Sequence, residues 1–217
     1  MMALPASLGA VPRPAASASG EVLRLEFDGA DGSTTIVDTY GKPISRSGAV
    51  VLSTAQAYSG ASSGYFPGGT SDYLTTPASA DFNFGAGDFS VKAAVYPTAL
   101  SGLRILVTNR ASSGSDAGIF FLLSGTALRG LSWGPAAGTT MSDITGGTLV
   151  LNAWQRVEYR RVSGQFQLLI NDAVVASSAV LASAIADSTN ALRIGVDPST
   201  TGRQYAGYMD QLVVRKG

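Results

Sequence analysis

The side chains that could do chemistry in this 217-residue sequence are mainly carboxylates, because it contains no histidine and no cysteine. That composition excludes a Ser-His-Asp triad, a thiolate nucleophile, a disulfide framework and a zinc site with His or Cys ligands. Cleavage of a glycosidic bond by a retaining mechanism needs two carboxylates about 5–5.5 Å apart. The nearest such pair is Glu26 and Asp28, and Asp28 runs into a turn-like segment, Gly29–Gly32. The sequence therefore predicts a protein that is not an enzyme.

A second set of residues could bind rather than react. Trp133 ends a predicted strand beside Gly134 and Pro135, and it is the best candidate for an exposed aromatic platform that binds sugar. The alternative is that Trp133 packs at one end of the core, as aromatic side chains commonly do, and we favour that alternative. Trp154 is a poorer candidate, because it begins a hairpin whose apolar face is expected to pack inside.

That hairpin, residues 154–170, is the clearest element of the chain. Its centre, Ser163-Gly164, is a two-residue turn of the kind that accepts positive φ. The turn places Tyr159 opposite Leu168, and one face of the hairpin is then apolar. The other face carries Arg156, Glu158 and Arg160. We interpret these three as a solvated ladder of neutralising charges, and the alternative is a docking face for a neighbouring subunit.

Alternating apolar and polar runs, separated by Gly, Ser, Asn, Asp and Pro, continue from Glu21 to the last residue and predict β-strands joined by turns. Evidence for helix is thin, and residues 174–186 fit a helical turn or a strand and loop equally well. We therefore predict one all-β domain over residues 21–217. The net charge of zero argues against nucleic acid or a membrane surface as a partner, and no apolar run is long enough for a transmembrane helix.

Residues 1–20 are predicted to form an extended N-terminal arm. Pro5 and Pro12 interrupt the apolar stretch and no basic residue precedes Arg13, so the segment does not read as a secretory signal. Its proline content favours an extended backbone that loses little entropy on binding. We expect the arm to bind a partner through the following side chains: Met2, Leu4, Pro5, Leu8 and Val11.

Several motifs along the chain share their order and spacing with one fold family. They are Ser71–Leu74, Asp81–Val91, Trp154–Val157, Leu168–Asp172, Leu192–Gly195 and Gly207–Leu212. Together they resemble the concanavalin A-like, laminin-G-like jelly-roll domains. The resemblance implies a sandwich of two antiparallel sheets in which the first and last strands are neighbours. A glycosidase of this family would carry an E-x-D-x-E strand, which the sequence lacks.

The resemblance also implies a candidate calcium site, because many relatives bind a calcium ion at an edge of the sandwich. By their place in the pattern, the candidates are Asp28, Asp31, Asp72 and Asp210. Their spacing does not match an EF-hand loop, and aspartate is itself a favoured turn residue. We therefore expect turns at these positions, with no metal and no cofactor.

The form of the pattern that resembles this chain best is that of tailed-bacteriophage virion proteins, through Phe27–Ser33, Leu52–Gln56 and Gly64–Phe66. The resemblance implies a structural protein of the virion, made in the bacterial host cytoplasm and carried as a head decoration or cement subunit attached through the arm. Its partners would be capsid or tail proteins and further copies of itself. The alternative is a carbohydrate-binding receptor-recognition module of a phage tail or fibre, with a glycan as its ligand.

Overall fold

A computed structural model of the chain describes residues 20–110, 117–136, 139–197 and 199–217. These residues form β-strands and one short 3-10 helix, Ala80–Phe82, and none of their helices is long and apolar enough to cross a membrane. The strands are β1 Glu21–Leu25, β2 Ser45–Ser47, β3 Val51–Ser53, β4 Ser63–Phe66, β5 Tyr73–Thr76, β6 Phe89–Pro97, β7 Leu103–Thr108, β8 Ile119–Ser124, β9 Ala127–Trp133, β10 Thr140–Gly146, β11 Gln155–Val162, β12 Gln165–Ile170, β13 Ala173–Val180, β14 Leu192–Ile194 and β15 Gly207–Lys216.

The strands form two antiparallel sheets that pack face to face. One sheet has eight strands in the order β13-β12-β11-β6-β15-β4-β3, with β1 paired to β15. The other has seven strands in the order β10-β9-β8-β7-β14-β5-β2. The first and last strands are neighbours, and Leu23 lies opposite Val214. The predicted two-sheet antiparallel jelly-roll sandwich is therefore confirmed.

The core between the sheets is centred on Tyr159, which is fully buried on β11. Its ring lies 5.4 Å from Phe89 and 6.0 Å from Phe166 in its own sheet, and 5.9 Å from Phe121 in the opposite sheet, between ring centroids. The phenol shares a 2.7 Å hydrogen bond with Ser132, so its polar atom is satisfied. One side chain therefore packs against both layers of the sandwich.

The predicted hairpin is confirmed residue by residue. Tyr159 pairs with Leu168 and Val157 with Ile170, as the turn-centred register requires. At the turn, Ser163 has a φ of 50° and Gly164 a φ of 81°, both in the left-handed region. Alternation along β11 then divides its side chains. Val157, Tyr159 and the buried Arg161 face the core, and Arg156, Glu158 and Arg160 lie on the outer face.

Other segments differ from the sequence expectations at their ends. The ambiguous segment 174–186 holds a strand, β13, and no helix. β1 ends at Leu25, before Phe27, which takes a φ of 55° and still packs into the core at 3% exposure. β10 was not singled out in the sequence, because its polar residues, of which Thr140, Asp143 and Thr145 are exposed, leave little apolar alternation.

Candidate binding face on the eight-stranded sheet

The outer face of the eight-stranded sheet carries many polar and aromatic side chains that are not buried in the core. Alternation creates this face, since Val91 and Val157 point into the core while their neighbours Lys92 and Arg156 point away. Lys92 lies directly opposite Glu158 on β11. Chemistry on this face therefore comes from the alternate residues of β1, β6, β11 and β15.

One end of this face is an aromatic row. Its members are Tyr58, Tyr65, Tyr96, Trp154 and Tyr208. Ring centroids lie 4.8 Å apart for Tyr65 and Tyr208, 5.8 Å for Tyr208 and Tyr96, and 5.6 Å for Tyr96 and Trp154. Tyr58, which precedes β4, lies 5.6 Å from Trp154. The row thus runs across the strands, with one ring contributed by each of β4, β15 and β6 and two by the segments beside them.

The rings of the aromatic row are only partly covered. Tyr58 is 41% exposed, and the other four side chains are half-buried. Burial raises the pKa of Tyr208, with smaller contributions from the neighbouring phenols of Tyr65 and Tyr96. The indole Nε1 of Trp154 is buried and has no hydrogen-bond acceptor among the described residues. The row therefore combines exposed ring surface with a buried donor that has no partner among the described residues.

Two carboxylates hold the loop that carries Tyr58. The Asp210 carboxylate, fully buried on β15, accepts the backbone N–H groups of Tyr58 and Ser59, each at 3.0 Å. The Asp28 carboxylate accepts the N–H of Ala61 at 3.1 Å. Burial raises the pKa of Asp210 to about 6, although the hydrogen bonds from the backbone N–H groups of Ser59 and Tyr58 oppose that shift. The position of Tyr58 over Trp154 therefore depends on a carboxylate in the neighbouring strand.

Beside the aromatic row lies a charged groove of about 530 Å³. Its charged lining is Arg24, Lys92, Arg156, Glu158, Arg160, Asp172 and Arg215, and Tyr58 and Gln211 line the end nearest the aromatic row. The three residues of the predicted charged ladder, Arg156, Glu158 and Arg160, are all part of this groove. Tyr58 belongs to both features, so the row and the groove form one continuous face.

The charges of the groove are linked by shared ion pairs. Asp172 contacts both Lys92, at 3.3 Å, and Arg156, and these two cations lower the pKa of its carboxyl. Arg160 donates to the Gln167 amide oxygen at 2.9 Å, and its closest approach to Glu158 is 3.9 Å. The ladder is therefore solvated and internally paired, and a role in docking a neighbouring subunit stays a prediction.

The structure agrees with the favoured interpretation of Trp133, which is buried, and not with the expectation for Trp154. Trp133 is 4% exposed in a small cluster with Phe120 on the opposite face of the seven-stranded sheet from the main core, beneath the guanidinium of Arg110. It presents no ring face to solvent. The expectation that Trp154 follows the buried face of its hairpin is wrong, because Trp154 shares the alternation of Arg156 and lies on the outer face.

The four aspartates considered for calcium serve as turn and loop acceptors at separate places. Asp31 accepts from the N–H of Thr54 at 2.8 Å, and Asp72 accepts from Ala49 and Gly69, each at 2.7 Å. Asp28 and Asp210 hold the Tyr58 loop. Among the residues that the structure describes, no group of three or more acidic side chains could hold a metal ion.

We expect a chelator to leave the melting temperature unchanged, because backbone N–H groups already occupy these carboxylates. The measurement is thermal unfolding with EDTA and with added calcium. A fall of more than a few degrees in EDTA that calcium reverses would contradict this expectation and identify a bound ion.

The predicted arm residues Met2, Leu4, Pro5, Leu8 and Val11 lie outside the described residues. That the arm binds a partner therefore stays a prediction from the sequence. The described residues begin at Gly20, whose carbonyl accepts the N–H of Lys216 on β15.

Comparison with known proteins agrees with this architecture. A laminin-G-type family model described as the concanavalin A-like lectin/glucanases superfamily matches residues 67–216. No curated protein sequence matches the chain significantly.

Solved structures with the same fold include binding domains of bacterial toxins. The binding domain of Paraclostridial Mosquitocidal Protein 1 superposes with a TM-score of 0.72 at 14% identity, over 91% of this chain and 49% of that one. The botulinum neurotoxin serotype G binding domain gives 0.68 at 14% identity, over 91% and 48%. The serotype D ligand-binding domain, solved in complex with N-acetylneuraminic acid, gives 0.64 at 12% identity, over 91% and 48%. The chain thus spans about half the length of these domains, and the similarity establishes the fold.

Proposed function

The chain belongs to the concanavalin A-like lectin/glucanase superfamily, and from that premise we propose that it is a carbohydrate-binding receptor-recognition module. The observation that carries the proposal is the aromatic row lying beside the charged groove on one outer face of the sheet. The ligand would lie on this face, with sugar rings against the aromatic row and hydroxyl groups directed at the groove.

The chemistry of the face suits a saccharide. A pyranose ring has an apolar C–H surface and a rim of hydroxyl groups, so it is recognised by ring faces flanked by polar side chains. Trp154 and Tyr58 supply the rings at the junction, and Gln211 and Asp172 supply amide and carboxylate groups nearby.

The length of the face also suits a chain of several sugars. Tyr65, Tyr208 and Tyr96 lie on adjacent strands of one sheet, and strands in a sheet are spaced about 4.8 Å apart. The aromatic row with Trp154 therefore extends over about 15 Å, which is the length of roughly three pyranose units. A short oligosaccharide would contact the row along its whole length.

The comparisons support a binding role over a catalytic one, since solved structures of the same fold include toxin binding domains. One of them is a complex with N-acetylneuraminic acid, a sugar. We propose that this chain likewise acts by recognition and not by bond cleavage, consistent with the lack of paired catalytic carboxylates on its outer face.

The first test is a glycan array probed with the protein and with a Trp154→Ala variant. We expect the variant to lose at least tenfold in affinity, on the order of 1.4 kcal/mol or more, because removal of the indole deletes the ring that joins Tyr96 to Tyr58 in the row. Tyr73→Ala, on β5 of the other sheet, is the matched control and should bind as the parent does. Retention of full binding by Trp154→Ala, or equal loss in the control, would overturn the site.

A second candidate function is a structural subunit of a bacteriophage virion, a decoration or cement protein located on the particle surface. The order of the motifs from Phe27–Ser33 to Gly64–Phe66 favours it. The two functions are compatible if the module is displayed on a tail or fibre, where it would recognise a host glycan.

The virion proposal predicts that the protein sediments with purified phage particles and that deletion of residues 1–19 leaves a folded sandwich that no longer attaches. The readout is co-sedimentation, and circular dichroism of the deletion variant serves as the folding control. Unchanged attachment of the truncated protein would assign the contact to the sandwich instead of the arm.

A further inference from the structure

Resting on the proposed function, we infer that the ligand is an anionic saccharide, whose carboxylate or sulfate groups bind in the charged groove while its rings contact the aromatic row. This inference concerns the chemical class of the sugar. The charge of the groove, and not the aromatic row, indicates this class.

The groove is basic in a protein that is neutral as a whole. Five cations line it, namely Arg24, Lys92, Arg156, Arg160 and Arg215, against two acids, Glu158 and Asp172, so that the lining carries five minus two, a net charge of +3. The formal net charge of the whole chain is zero. Outside the lining, Glu21 pairs with Arg24 and Arg215 and Glu26 pairs with Arg24, so that counting these two acids leaves five minus four, a net charge of +1. Cations are therefore concentrated where a ligand would enter.

The guanidinium groups have donors to spare. Arg156 contacts Asp172 through one terminal amino group, and Arg215 contacts Glu21 through one terminal amino group at 2.7 Å. Arg160 donates through Nε to Gln167. Its Nη1 lies 3.9 Å from the Glu158 carboxylate, which is beyond hydrogen-bonding distance. A guanidinium has five N–H donors, so each of these groups can also bind a carboxylate or sulfate oxygen.

The exposure of these cations keeps the cost of binding an anion low. The side chain of Arg156 is 41% exposed and that of Arg215 is 51% exposed, so neither is committed to the interior. An anion that enters the groove gains attraction from several cations at once, and the existing pairs with Asp172 and Glu21 rearrange at the surface and not in the core. Such binding is sensitive to ionic strength.

The groove and the aromatic row are close enough for one ligand to contact both. Tyr58 lines the groove, and its ring centroid lies 5.6 Å from that of Trp154. Trp154 immediately precedes β11, and Arg156, two residues later, lies on the same face of the sheet. A sugar ring over Trp154 would therefore place a substituent within reach of Arg156. The same geometry does not require the substituent to be a carboxylate instead of a sulfate, since either is an anion with several acceptor oxygens.

The experiment compares polymers that differ only in charge. Polygalacturonate is set against its fully methyl-esterified form, and dextran sulfate against dextran, with binding measured at low and at physiological salt. We expect each anionic polymer that binds to do so at least tenfold more tightly than its neutral counterpart, and the difference to shrink as salt rises. Binding to one pair and not the other assigns carboxylate or sulfate as the recognised group.

Variants separate this inference from the proposed function. Arg156→Gln combined with Arg160→Gln should weaken anionic binding about tenfold more than it weakens neutral binding, whereas Trp154→Ala should weaken both to the same extent. Arg193→Gln, on β14 of the other sheet, is the matched charge control and should change neither. Equal affinity for charged and neutral polymers, with binding still dependent on Trp154, would overturn the inference and leave the proposed function standing.

Two further outcomes are decisive. Single-stranded DNA of matched charge that binds as tightly as the anionic polymers would overturn the assignment to a saccharide, because the groove would then recognise negative charge alone. No binding to any saccharide would overturn the proposed function itself.

Discussion

Replacement of Arg161 by methionine is expected to lower the free energy of unfolding by about 3–5 kcal/mol. Arg161 is 1% exposed on β11, and its guanidinium donates to three backbone carbonyl groups, those of Gly85 at 3.1 Å, Leu181 at 2.6 Å and Ser183 at 3.0 Å. No carboxylate pairs with it within the described residues. Methionine fills a similar volume but removes a donor from all three carbonyl oxygens, of which that of Gly85 keeps the N–H of Ile185 at 2.8 Å. It also gives up the contact of the guanidinium with the Phe166 ring.

Urea unfolding of the parent and the variant measures this difference, with a fall in melting temperature on the order of 10 °C as a second readout. Arg160→Met is the matched control, one residue away on the outer face, and should change stability by less than about 1 kcal/mol. Arg161→Lys keeps the positive charge but not the planar fork, so we expect it to recover only part of the loss. A methionine variant as stable as the parent would show that water replaces the guanidinium at these carbonyl groups.

The second large effect is expected at low pH and comes from Glu21. Its carboxylate is 4% exposed as part of β1, accepts from Arg24 at 2.6 Å and from the Tyr40 hydroxyl at 2.6 Å, and pairs with Arg215 at 2.7 Å. The Arg24 guanidinium, more than offsetting burial and aided by Tyr40 and Arg215, lowers the pKa of Glu21 from 4.5 to about 2. These contacts join the first strand to the last.

A lowered pKa means that the folded state binds the proton less readily than the unfolded chain does. The contribution of Glu21 is therefore fully present above pH 4.5 and is lost as the pH falls from 4.5 to about 2. The Glu21 contacts therefore contribute about 2–3 kcal/mol to the free energy of unfolding at neutral pH. The value is at the lower end if solvent screens the exposed Arg215.

The measurement is the free energy of unfolding of the parent and of Glu21→Gln between pH 7 and pH 2. We expect the difference between them to be largest at pH 7 and to disappear near pH 2. Glu26→Gln, whose carboxylate is 38% exposed, is the control and should differ little from the parent at any pH. A difference that does not change with pH would show that the Glu21 contacts act by packing and not by charge.

The sequence alone determined the strands and their register wherever alternation was strong. The hairpin of β11 and β12 is the clearest case, because a slip of one residue would exchange its apolar and charged faces and expose Val157 and Tyr159. That the first and last strands are neighbours was implied by the family resemblance, and alternation agreed with it, since Leu23 and Leu25 could share a core face with Leu212 and Val214. Local periodicity is enough when burial acts on every second residue.

The sequence also contained the position of Trp154, although the prediction placed it wrongly. Trp154 precedes Arg156 by two residues, so alternation alone puts it on the outer face with the charges. The assumption that a large aromatic side chain follows the apolar face of its hairpin outweighed that signal. For Trp133, by contrast, no local pattern indicates the small second cluster, in which it packs with Ile105, Phe120 and Leu122 of neighbouring strands.

Only the tertiary structure decided which residues form the binding face. The aromatic row joins Tyr58, Tyr65, Tyr96, Trp154 and Tyr208, and Tyr58 and Tyr208 are held together through the carboxylate of Asp210, 152 residues from Tyr58 along the chain. Their proximity follows from the order of strands in the sheet, in which β15 lies between β4 and β6. Alternation along a strand reports which face a side chain occupies, but it contains no information on which strand lies beside it. Strand order is set by the closure of the whole sandwich around a shared core, and the site that spans four strands is a consequence of that closure.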